Sequence, residues 1–131
     1  MKKVLFVCVG NSGRSQMAEA FFNHLAKGKA QALSAGTKPA SRVDPTVIEL
    51  MKELGIDMNG RQPKKLTAEM LDQADRVVTM GCGVEQACPV TLAETEDWNL
   101  EDPKGKSIEK IREIRDQIKA RVKKLLKELG I

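Results

Sequence analysis

The segment Lys3-Val-Leu-Phe-Val-Cys8 constrains this chain more than any other, because it is a continuous apolar run rich in β-branched residues, closed at once by a Gly/Asn/Ser turn. A run that is apolar throughout, instead of at alternate positions, fits a strand buried on both faces, as in a parallel sheet. Beyond the turn, Met17, Ala18, Phe21 and Leu25 recur at helical spacing and the pattern ends near Gly28. The opening unit is therefore strand, tight loop, helix.

The rest of the chain continues that alternation. Gln31 to Ala35 predicts a second short strand ahead of Gly36. Asp44-Pro45 predicts a helix start, a capping Asp with Pro at the first helical position. Val47, Ile48, Met51 and Leu54 then share one face, and Gly55 stands where that helix should stop. Thr67 can cap a short helix carrying Met70, Leu71 and Ala74. Arg76 to Met80 reads as a third buried strand, and Thr95 to Leu100 as a short fourth one before Asp102-Pro103. From Ser107 onward, Ile108, Ile111, Ile118, Val122, Leu125 and Leu129 form one apolar stripe on a long last helix, whose Lys/Arg/Glu face reads as solvated surface. The expected fold class is α/β: one domain over residues 1–131, an open four-stranded parallel sheet with helices on both faces. Ligands in such folds bind beyond the carboxyl ends of the strands. Cys8 stands at one such end and Cys82 lies just past another.

Composition narrows the ligand. The net charge of +4 suits an anion without demanding one. Aromatic residues make up only 3% and Tyr is absent, which argues against a base-stacking nucleic-acid platform. The apolar run Val4 to Val9 is too short for a secretory core or a membrane span, so neither nucleic acid nor membrane is expected as a partner. Three cysteines without a targeting segment point to a reducing, cytoplasmic setting, and their odd number excludes a fully paired set within one chain.

The loop Cys8-Val9-Gly10-Asn11-Ser12-Gly13-Arg14-Ser15 carries the chemistry. Two glycines let several backbone N–H groups turn toward one point and form an anion nest from Val9, Gly10, Asn11, Ser12, Gly13, Arg14 and Ser15. Asn11 is a residue type that tolerates the left-handed conformation such a curl needs. The helix beginning near Arg14 adds its positive end. The planar fork of Arg14 can close on two oxygens of a tetrahedral oxyanion. Helix end, guanidinium and the Ser15 hydroxyl all favour the thiolate of Cys8, so a nucleophile and an anion site coincide. A plain glycine-rich turn around a buried Cys is the competing reading. Nucleotide loops are poorer matches, since neither GxGxxG nor a Gly-Lys-Ser/Thr ending is present.

In combination, Cys8 to Glu19 (CVGNSGRSQMAE), Ser34-Ala35-Gly36, Val77-Val78-Thr79, Cys82…Cys88-Pro89 and Trp98 to Pro103 (WNLEDP) give the chain a resemblance to the low-molecular-weight tyrosine phosphatase superfamily. Within it, the chain resembles the thioredoxin-coupled arsenate reductases over essentially its whole length. The resemblance implies arsenate as substrate, with phosphate or sulfate as competing anions, and thioredoxin as the electron-donating partner of a monomer. It places the general acid on Asp102, which Pro103 helps hold in an extended conformation. Such an acid must keep a proton near neutral pH, so a sheltered carboxyl is expected there. It also implies a relay in which Cys8 forms a thiol–arsenate adduct, Cys82 attacks Cys8, and Cys88 then attacks Cys82. Gly81 and Gly83 supply the backbone freedom that this would require. Zinc is a poor alternative for Cys82 and Cys88, because five intervening residues fit ligand spacing badly and His24 lies far away on a predicted helix.

The chain departs from the family pattern in places. Gly13 stands where many relatives have another Cys, and the Cys82–Cys88 interval is slightly shorter than in the best-known members. Some members bind potassium through Asn, Glu, Ser and Asp. The first three match Asn11, Glu19 and Ser34, but the Asp falls near Lys64, whose ammonium can replace the cation. No potassium requirement, no other metal and no cofactor are therefore expected. The alternative activity is a phosphomonoester phosphatase using Cys8, Arg14 and Asp102. Against it, Lys104-Gly105 stand where many tyrosine phosphatases have an aromatic pair. A non-enzymatic redox sensor or anion-binding module of the same fold is a third possibility.

Overall fold

A computed structural model of the chain describes residues 2–80 and 94–131. Cys82 and Cys88 lie outside the described residues. The elements run β1 (Lys2–Cys8), α1 (Arg14–Ala26), β2 (Ala30–Gly36), α2 (Pro45–Lys52), α3 (Ala68–Gln73), β3 (Arg76–Thr79), β4 (Glu94–Asp97) and α4 (Ile108–Glu128). The strands form one parallel four-stranded sheet in the order β2-β1-β3-β4.

β1 is central, and Val4 through Cys8 are all buried. Its alternation feeds two cores. Val4, Phe6 and Cys8 join a large cluster with residues of α1, α2 and α4, while Leu5 and Val7 join a smaller one with Ala35, Leu71 and Val77. This is why the run is apolar at every position. Phe6 meets Phe22 edge-on at 6.1 Å and Trp98 at 5.5 Å between ring centroids.

The helix starts predicted at Asp44 and Thr67 are capped as expected, and Ser107 caps α4 in the same way. Asp44 Oδ1 accepts from Thr46 N at 2.9 Å, Thr67 Oγ1 from Met70 N at 3.2 Å, and Ser107 Oγ from Lys110 N at 3.2 Å. Each such cap contributes about 1 kcal/mol.

Two expectations need correcting. β4 occupies Glu94–Asp97, not Thr95 to Leu100. After Asp97 the chain leaves the ladder, Trp98 N bonding Thr79 O at 2.7 Å, and Trp98 and Leu100 turn into the core. Ile108 is 53% exposed and does not belong to the apolar stripe. It is the first residue of α4, ahead of the point where the helix meets α2 and α1. Ile114 supplies the missing stripe position, and the guanidinium of Arg115 is buried beside it, donating to Leu50 O and Glu53 Oε1. Among the described residues no helix is long and apolar enough to cross a membrane.

This strand order places the loop after β1 at a topological switch. The chain leaves β1 toward β2 on one side and returns to β3 on the other, opening a crevice at the carboxyl ends.

Candidate active site

Cys8 is the last residue of β1 and Arg14 the first of α1, so residues 9–13 must turn the chain within one short loop. Asn11 makes the turn, with φ at +50°. Its buried side chain ties the curl together. Nδ2 donates to Ser15 Oγ at 2.7 Å, while Oδ1 accepts from Lys64 N at 2.8 Å and Gln16 Nε2 at 3.0 Å. Those bonds offset the cost of left-handed backbone at a non-glycine residue.

The loop's carbonyls are held outward by the segment that follows β2. Thr37 N bonds Cys8 O at 3.1 Å, Lys38 N bonds Val9 O at 2.9 Å, Ala40 N bonds Gly10 O at 2.9 Å, and Asp44 N bonds Ser12 O at 2.9 Å. With its acceptors engaged on that flank, the loop keeps its N–H groups for the other side. Gly36 permits this closeness, since a Cβ there would stand 2.5 Å from Val9 O and 3.1 Å from Asn11 N. This brace is a set of contacts between distant backbone atoms, so no residue pattern announces it.

Cys8 Sγ lies at the floor, 2.8 Å from Ser15 Oγ and 3.2 Å from Asn11 N, which donates to it. A backbone donor, a hydroxyl and the N-terminus of α1 thus converge on one sulfur. Arg14 is 5% exposed. Its NH1 donates to Met80 O at 2.7 Å and Leu100 O at 3.0 Å, and its NH2 lies 3.7 Å from Asp102 Oδ2. The expectation that the fork closes on two oxygens is thereby narrowed, because one terminal nitrogen already serves two carbonyls. Those carbonyls fix the plane of the guanidinium, so the remaining edge is the part available to an anion.

Asp102 belongs to the same cavity as Cys8, Val9, Gly10, Ser12, Gly13 and Arg14. Its Oδ1 accepts from Lys104 N at 3.0 Å in a local turn. Pro103 packs on the loop, its Cγ standing 3.1 Å from where a Cβ on Gly13 would lie. The expectation of a sheltered carboxyl is wrong for this state, since the Asp102 side chain is 62% exposed. The turn with Lys104 and the seat of Pro103 on Gly13 position it at the rim, open to solvent.

Behind the loop, buried Glu19 gathers two cations. Lys64 Nζ donates to Oε1 at 3.1 Å and Arg61 pairs with Oε2. Lys64 was legible in the sequence, whereas Arg61 was not, because only the fold brings it across from a separate loop. Ser34 Oγ is buried and makes no hydrogen bond among the described residues. His24 lies in the exposed last turn of α1, away from this site.

A cysteine on a strand end, an N–H-lined loop, an arginine opening the next helix and an aspartate across the cavity define a class of phosphatase-like enzymes. The family model for low molecular weight phosphotyrosine protein phosphatases matches residues 3–130, and the chain belongs to that family. Within it, the chain is 45% identical to a glutaredoxin arsenate reductase of Synechocystis, covering 99% of this chain and 100% of that one. A thioredoxin-dependent arsenate reductase of Corynebacterium glutamicum superposes with a TM-score of 0.87 at 38% identity; the match covers 99% of this chain and 62% of that one. An arginine phosphatase of Geobacillus stearothermophilus superposes with a TM-score of 0.83 at 28% identity, covering 99% and 94%.

Proposed function

We propose that this chain reduces arsenate to arsenite, with Cys8 as the attacking thiolate. The observation that carries this reading is the convergence on Cys8 Sγ of the Asn11 N–H and the Ser15 hydroxyl, in one cavity with Arg14 and Asp102. The names of the similar reductases support it.

In this reading arsenate sits in the loop against Arg14. Cys8 Sγ attacks arsenic, an As–O bond breaks, and Asp102 donates the proton that lets the oxygen leave as water. Cys82 then attacks Cys8 Sγ. The S–As bond breaks, its electron pair stays with arsenic as arsenite, and a Cys8–Cys82 disulfide forms. Two thiols have been oxidised and arsenic has gained two electrons. Cys88 attacks Cys82, releasing the Cys8 thiolate, and a thioredoxin-type dithiol reduces the Cys82–Cys88 disulfide. The exposure of Asp102 lets it regain from solvent the proton that it gives to the leaving oxygen.

The pairing of Lys64 and Arg61 with Glu19 supports a reaction independent of potassium. Asn11, Glu19 and Ser34 fit a monovalent metal cation poorly when two protein cations already neutralise the one carboxylate. The experiment that tests the proposal is steady-state turnover of Cys88→Ser with arsenate, thioredoxin and thioredoxin reductase. Activity should fall to a single turnover. Undiminished multiple turnover would refute the relay, whereas fast hydrolysis of an aryl phosphate with no detectable arsenate turnover would favour a phosphomonoesterase.

A further inference from the structure

The cavity over Cys8 measures about 450 Å³. Pockets that take small organic ligands begin at about 300 Å³, so the space exceeds what one four-oxygen anion fills. Its floor is the loop at Cys8. Lys38, Ala40, Arg42 and Lys104 also line it, and their exposure places them at its mouth. Lys38, Arg42 and Lys104 are exposed, and among the described residues none of their side chains makes a hydrogen bond or an ion pair.

The carboxylates in this cavity are otherwise engaged. Asp44 Oδ1 caps α2 through Thr46 N, and Asp102 faces Lys104 N and Arg14. With Arg14 included, four cations therefore meet two carboxylates around one opening among the described residues. No aromatic side chain lines it among the described residues, so nothing at the mouth would stack on an aryl group. Lys38 is also well placed by the backbone, because its N–H bonds Val9 O and so ties the residue to the loop itself.

We propose that Lys38, Arg42 and Lys104 form a second anion subsite at the mouth of the Cys8 pocket. The ligand class is a tetrahedral oxyanion group carrying a carboxylate a few bonds away, bound with the oxyanion in the loop and the carboxylate at the rim. This deepens the reading above but rests only on the anion cradle, not on the reduction chemistry.

The test uses two non-hydrolysable probes, methylphosphonate and phosphonoacetate, which share a phosphonate head and differ by one carboxylate. Each is titrated for its protection of Cys8 against iodoacetamide, read on the Cys8 peptide by mass spectrometry. Exposed cation–anion contacts contribute a few-fold each, so phosphonoacetate should protect at a roughly tenfold lower concentration. In the K38Q/R42Q/K104Q variant the two probes should protect equally, with methylphosphonate still effective and the thermal melt unchanged. Equal protection in the parent chain would overturn the proposal. So would a gap that survives the triple substitution, or loss of all protection in a folded triple variant, which would assign the cations to the cradle. Because no arsenate enters the assay, a failed reductase reading leaves this result intact.

Discussion

Removing the Asn11 side chain is the most informative single perturbation of the loop. Truncation to Ala deletes three hydrogen bonds: Nδ2 to Ser15 Oγ, and Oδ1 from Gln16 Nε2 and Lys64 N. Gln16 Nε2 keeps its second acceptor, Gln62 O, and Ser15 Oγ keeps Cys8 Sγ. Lys64 N loses the acceptor it has here, at about 1–3 kcal/mol, and the other two bonds are worth about 1 kcal/mol each. A Cβ-bearing Ala at φ +50° adds about 1 kcal/mol over Gly. Asn11→Ala should therefore destabilise by about 4 kcal/mol, and Asn11→Gly by about 3. Urea unfolding with linear extrapolation reads both values. Both variants should also alkylate at a changed rate at Cys8, since the lost side-chain bonds hold the curl that aims the backbone N–H of residue 11 at its sulfur. If Asn11→Ala lies within about 0.5 kcal/mol of the parent, the range of an ordinary surface change, Asn11 does not hold the loop.

Other outcomes follow from the same contacts. Gly36→Ala forces a Cβ against Val9 O and Asn11 N; we expect a loss of about 1–3 kcal/mol and weaker protection of Cys8 by phosphate, and parent-like protection would contradict the brace. Arg112, the larger influence, and Arg115 hold the Glu53 carboxyl down at about 2 from its ordinary 4.5. A carboxyl lowered on folding stabilises fully above its unfolded value and loses that contribution as the pH falls through the folded one. The Tm deficit of Glu53→Gln should thus be full near neutral pH and shrink between about 4.5 and about 2; a deficit constant across that window would refute the pairing. Exchanging sodium for potassium chloride at equal ionic strength should leave kcat/KM unchanged, and a potassium-specific rise would overturn the role given to Lys64 and Arg61.

The parts of the fold that were legible in the sequence rest on short-range causes. The apolar run of β1, the caps at Asp44 and Thr67, and the stripe of α4 each depend on neighbours within a few residues. The Cys8 to Ser15 loop was legible for the same reason. What escaped depends on contacts between distant segments. Residues 37–44 brace the loop through backbone atoms, and Arg61 reaches Glu19 from another loop. Arg115 is buried by a carbonyl of α2, not by an apolar pattern. The end of β4 moved because Trp98 and Leu100 go to the core, and apolar spacing alone does not separate a strand residue from a core residue just past it. The exposure of Asp102 followed from Pro103 seating on Gly13, a packing contact between residues remote in sequence.

A relay that starts at Cys8 leaves its mark on the free thiols after one arsenate turnover without reductant, and mass spectrometry maps them. Cys82 and Cys88 should lose their thiols in proportion to arsenite formed, while Cys8 returns free. Arsenite formed with all three thiols intact, or thiol loss at the same rate without arsenate, would contradict the relay.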